Sequence, residues 1–126
     1  LKTNRVPRNV DGIVMNPPFA TAAIHVRHAL SMCPYVCALL RLTFLEAGNE
    51  KTEAGRARLW CLDRGHLARV HVFTSRLPMM HREGWTGKIA TSTTAYAWFV
   101  FDGDHTGPAT LHRIPAPVPM HGSGQK

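Results

Sequence analysis

Apolar and polar positions fall into blocks along this chain, and the period changes from block to block. Ile13, Val14 and Met15 run without a polar break and end at Asn16-Pro17-Pro18. Such a run predicts a buried strand over residues 10–15, of the kind found inside parallel sheets. Pro17 and Pro18 have no N–H for the ladder and stop it. Over residues 20–33 the period becomes helical. Phe19, Ala22, Ala23, Val26, Ala29, Leu30 and Cys33 share one face, with Thr21, His25, His28 and Ser31 largely off it. Pro34 ends that helix.

Residues 35–42 are almost wholly apolar and predict a second strand, parallel to the first in a right-handed βαβ unit. A turn at 47–51 leads to a helix over 52–64, which carries Ala54, Ala57, Trp60 and Cys61 and stops at Gly65. Its Arg56, Arg58 and Arg64 suit a solvated face, or phosphate contact. Residues 69–75 alternate, and residues 94–101 form the most aromatic stretch; the two predict an antiparallel pair. Tyr96, Trp98 and Phe101 read as core or sheet-face aromatics. The expected fold is α/β, mainly parallel with an antiparallel terminal strand. Residues 1–9 read as a basic lead-in loop, 1–102 as the domain and 103–126 as a flexible Pro/Gly-rich tail.

A length of 126 residues suits one small core. The formal charge of +7 favours a polyanionic partner, although the basic residues are scattered. Cys33, Cys37 and Cys61 are too few for a disulfide framework, and Cys37 reads as a small core residue. A reducing, cytoplasmic location follows. His25 and His28 lie three apart on a helix without a supporting carboxylate or cysteine, so no metal site is expected. No apolar run is long enough for a bilayer, and no signal-peptide pattern opens the chain. The first residue is Leu1 rather than Met, which suggests a fragment or a processed product.

The chemistry concentrates at the first strand's end. Asn16 precedes a proline and is biased to extended backbone, which presents its amide at the carboxyl end of the strand. That end is where open α/β sheets bind ligands. An amino group conjugated to an aromatic ring is a poor nucleophile, because its lone pair is delocalised. The Asn16 side-chain oxygen and the Pro17 carbonyl can each accept one of its N–H bonds, which favours a pyramidal nitrogen. Phe19 offers a flat face for a planar ring. A plain strand-ending turn is the alternative, since Asn and Pro are common turn residues.

Asn16-Pro17-Pro18-Phe19, after Asp11-x-Ile13-Val14-x, resembles the catalytic motif of S-adenosylmethionine-dependent amino methyltransferases, and most closely the N6-adenine DNA methyltransferases. Residues 38–46 are similar to the following strand and loop of phage-type and bacterial members, and residues 94–102 to their last core strand. The resemblance implies a partial Rossmann-like class I methyltransferase sheet, S-adenosylmethionine as cofactor and an adenine in DNA as target. It implies catalytic roles for Asn16, Pro17 and Phe19, and cofactor contact by Asn16 and Pro18. RNA and protein-glutamine methyltransferases share the tetrapeptide, and a non-enzymatic nucleic-acid-binding remnant is a further alternative.

Arg41 is a charged residue at the end of an apolar strand, suited to nucleic-acid contact, to pairing with Glu46 or to reaching out of the sheet end. The long loop 76–93 carries Arg76, Arg82, Lys88 and Trp85, a combination suited to a nucleic-acid backbone and an extruded or unpaired base, or equally to a mobile surface hairpin loop with Trp85 packed down as an anchor. The family's cofactor half, with its Gly-rich turn and ribose-binding acid, has no counterpart here. The chain is therefore expected to need a missing cofactor-binding half or a partner chain, and its first strand to present an open edge.

Overall fold

β1 (Ile13–Met15) pairs in parallel with β2 (Tyr35–Arg41), Ile13 standing opposite Val36 and Met15 opposite Ala38. The structure is a computed structural model that describes residues 11–46, 48–75, 77 and 94–115. Between the two strands runs α1 (Ala22–Met32), which a short 3-10 turn at Phe19–Thr21 precedes. A second 3-10 turn at Leu42–Leu45 leads on to α2 (Glu53–Arg64). β3 (Leu67–Phe73), β4 (Tyr96–Asp102) and β5 (Thr110–Ile114) complete a five-stranded mixed sheet in the order β1-β2-β4-β3-β5. β4 lies antiparallel between β2 and β3, and β5 runs parallel to β3 at the far edge. The fold is α/β: the described residues form two α-helices on a sheet that is part parallel and part antiparallel.

The winding explains where the helices lie. β1, β2 and β3 point the same way and step across the sheet in one direction. Right-handed crossovers between strands that step one way place every connecting helix on the same face. Accordingly, one core joins Ala22, Val26 and Ala29 of α1 and Ala57 and Cys61 of α2 to Val36, Ala38 and Leu40 of β2, Val70 of β3, and Ala97, Phe99 and Phe101 of β4. Alternate residues of each strand face away from this core. Among the described residues no helix covers that second face, which carries Val14, Cys37, Trp98, His71 and Ile114 around an apolar cavity of 310 Å³. Val14 is 75% exposed there.

Several expectations need revision. The strand expected at 69–75 starts and ends two residues earlier, because Leu67 already pairs with Phe101 of β4, with a bulge between Leu67 and Arg69. Residues 110–114, expected in a flexible tail, form β5; residues 116–126 lie outside the described residues. β5 is exposed along nearly its whole length, so it carries no apolar stripe, and its place comes from backbone pairing with β3. Cys37 is not a core residue but a half-buried one on the helix-free face, whereas Cys33 and Cys61 are buried. Phe19 lies off the buried stripe of the first helix and is 41% exposed. No helix among the described residues is long and apolar enough to cross a membrane.

Candidate functional site

The parallel pairing of β1 and β2 brings both carboxyl ends to one edge of the sheet. Asn16 follows β1 directly and is exposed. Pro18 takes φ −57° and ψ 139°, after which the chain curls into the 3-10 turn. The Thr21 N–H donates to the Pro18 carbonyl at 3.3 Å, and the Ala22 N–H to the Phe19 carbonyl. Among the described residues neither the Asn16 amide nor the Pro17 carbonyl takes part in a hydrogen bond. Both acceptors stay free for a ligand.

Arg41 stands at the end of β2, opposite Tyr96 of β4. Its guanidinium carbon lies 4.2 Å from the centre of the Phe19 ring. Its Nε is buried and has no acceptor, and no described carboxylate pairs with it. Arg41 therefore neither pairs with Glu46 nor simply snorkels out of the sheet end; it lies on the aromatic ring of the motif. The Leu42 N–H donates to the Ala95 carbonyl at 2.8 Å, which ties the next turn to the strand that begins beside it. The end of β3 and the start of β4 lie at this same edge. Arg76, Arg82, Trp85 and Lys88, expected to act here, lie outside the described residues.

The arginines of α2 divide in a way that spacing alone did not reveal. Arg58 turns inward, donating from Nη1 to the Thr43 carbonyl at 3.0 Å with its guanidinium carbon 5.8 Å from the Phe44 ring centre. Arg56 donates from Nη1 to the Glu50 carbonyl at 3.1 Å. Both brace turns and are not spread as a free phosphate-binding row.

The other chemistry-bearing groups lie elsewhere. A cavity of 520 Å³ opens at the opposite end of the sheet, lined by Asp63, Arg64, His66 and His105 among others. Its rings are already committed: His66 bonds from Nδ1 to the His105 carbonyl, and His105 from Nε2 to the Pro108 carbonyl, both at 3.1 Å. Burial raises the Cys37 thiol above its ordinary value, against a smaller opposing effect of Arg69. Burial pushes Cys61 up to about 12, against the charge of Arg27. Thiols held protonated in this way are poor nucleophiles at neutral pH. Among the described residues no group of three His, Cys, Asp or Glu side chains is placed to share a metal ion.

No protein-family model, curated protein or solved structure matches the chain.

Proposed function

We propose that the described residues form the target-side portion of an S-adenosylmethionine-dependent methyltransferase acting on the N6 amino group of adenine in DNA. What supports this most is the pair of unengaged acceptors, the Asn16 amide oxygen and the Pro17 carbonyl, at the carboxyl end of a parallel strand with Phe19 beside them. S-adenosylmethionine, when bound, supplies a methyl group made electrophilic by its sulfonium. Asn16 and Pro17 hold the amine by its two N–H bonds and turn its lone pair outward. Phe19 stacks on the ring. No strong base is needed, because the proton leaves after the nitrogen has gained its fourth bond. An adenine in duplex DNA must leave the stack to reach these groups, and the basic chain favours the polyanion.

The described residues suit the transferred-methyl end of the cofactor, where Asn16 and Pro18 would line its side of the pocket. They do not suit its ribose or its carboxylate. Asp11 is the described acid nearest the motif in sequence, and it lies at the opposite end of β1. Among the described residues the second face is free of helices and β1 pairs with one strand, which fits a Rossmann-like sheet that continues past β1 and winds the other way. In such a sheet β1 would flank the topological switch point, where ligands bind. We therefore attribute the cofactor-binding layer to further polypeptide, in the same chain or a partner.

Two measurements test this. Equilibrium dialysis of S-adenosylmethionine against this chain should give no binding, and binding would overturn the attribution of the cofactor-binding layer to further polypeptide. Radiolabelled methyl transfer to duplex DNA, with the cofactor layer supplied, should be abolished by Asn16→Ala without a change in melting temperature. An active Asn16→Ala protein would rule out the amine-holding role, and transfer to RNA or protein in preference to DNA would reassign the substrate.

A further inference from the structure

We infer that Arg41 is a positioning residue that closes one face of Phe19 and so fixes the face on which the target base stacks. This rests on the adenine-methylation reading above, in which Phe19 meets the base. Arg41 and Phe19 come from different strand ends, 22 residues apart in sequence (41 − 19), and meet only because β1 and β2 are parallel neighbours. The guanidinium carbon is 4.2 Å from the ring centre, a cation–π contact. No acceptor and no carboxylate among the described residues holds the group, and its Nε is buried without a partner. The ring is thus the contact that the structure gives this charge.

Two consequences follow. A planar ligand can use only the other face of Phe19, so the contact selects one stacking geometry from two. A cation on one face also draws electron density from the ring, which strengthens stacking of an electron-rich purine on the opposite face. Arg41 acts through Phe19 and is distinct from a phosphate clamp, whose effect would be the same whatever the base.

The test uses the whole chain and two fluorescein-labelled duplexes. One carries a single unpaired adenine, and the other an abasic site at the same place. Anisotropy titrations give the ratio of the two affinities. The expected ratio is about tenfold in favour of adenine, as for one base stacked on one aromatic ring. Phe19→Ala and Arg41→Gln should each remove most of that preference, their combination should remove little more, and Arg41→Lys should restore a good part of it. A merely structural arginine, or one on a phosphate, would weaken both duplexes equally and leave the ratio unchanged. Preference lost in Phe19→Ala but kept in Arg41→Gln would overturn the role of Arg41 and leave the base-stacking reading standing. No preference in the unmodified chain would overturn the stacking reading, and the role of Arg41 with it.

Discussion

The rings of His71 and His112 stack with centroids 4.8 Å apart and planes 20° from parallel, joining β3 to the edge strand β5 on the helix-free face. Burial first, then the charges of His112 and Arg69, lower the His71 pKa below its ordinary value of 6.5. The unfolded chain therefore holds this proton at a pH where the folded chain has released it. Stability contributed by neutral His71 is fully present above the unfolded value and is lost as pH falls through and below it. Thermal midpoints should drop on going from about pH 7.5 to about pH 5.5. His112→Ala removes one cause of the shift and should flatten that slope. A slope unchanged in His112→Ala would show that the pair is not coupled.

Gly55 lies in the first turn of α2, where Thr52 caps the helix by accepting the Gly55 N–H at 3.0 Å. Glycine inside a helix ordinarily costs about 1 kcal/mol relative to alanine. Here the sign reverses, because a Cβ on Gly55 would stand 1.9 Å from the Asn49 carbonyl oxygen. That obstacle is backbone and cannot swing aside. Gly55→Ala should lower the urea midpoint, whereas Thr52→Ala should cost about 1 kcal/mol through loss of the cap. A stabilising Gly55→Ala would show that the 48–52 turn moves freely against the helix.

The first crossover was legible because its helix had a period of its own, between two apolar runs. The stripe of Ala22, Ala23, Val26 and Ala29 could only be a helix face, and all four are buried. The antiparallel partnership of β3 and β4 was likewise legible from alternation and aromatic content. The orientation of β2 was not. In Tyr-Val-Cys-Ala-Leu-Leu-Arg both faces are apolar, so nothing local says whether Cys37 or Ala38 faces the helices. That choice follows from the handedness of the whole unit, and it buries Ala38 completely. β5 was not legible because a strand exposed on both faces needs no pattern. At the site, the turn that ends β1 at Asn16-Pro17-Pro18 was legible. The Arg41–Phe19 contact was not, since it depends on two strand ends becoming neighbours in space.

Val14 combines a helix-free face with an edge strand: its side chain is 75% exposed, and among the described strands β1 pairs only with β2. An open apolar edge templates pairing with another chain. Val14→Lys places a charge where no described helix packs. It should leave the thermal midpoint within about 2–3 °C of the parent, since surface changes usually stay within about 0.5 kcal/mol. The concentration dependence of the sedimentation coefficient should fall at the same time. Unchanged self-association would move the sticky surface away from β1.

Phe99 ties the core to the candidate site. It is completely buried in β4 and meets Phe44 edge to face, with ring centroids 5.4 Å apart and planes at 72°. Phe44 belongs to the 3-10 turn that begins directly after Arg41, and Arg58 lies over its ring while bonding the Thr43 carbonyl. Removing the Phe99 ring thus opens a cavity and also frees one side of the turn that holds the end of β2. Phe99→Ala should cost about 3–5 kcal/mol, a large share of the roughly 5–15 kcal/mol typical of a domain. Phe99→Leu keeps most of the volume and should cost far less, about 1–2 kcal/mol, while still losing the edge-to-face contact. The informative measurement pairs urea unfolding with the adenine preference described for Arg41. Phe99→Leu, studied well below its unfolding midpoint, should lose part of that preference, because the anchor of the Arg41 turn has changed shape. If stability falls and the preference does not, the turn holds Arg41 in place without help from the core.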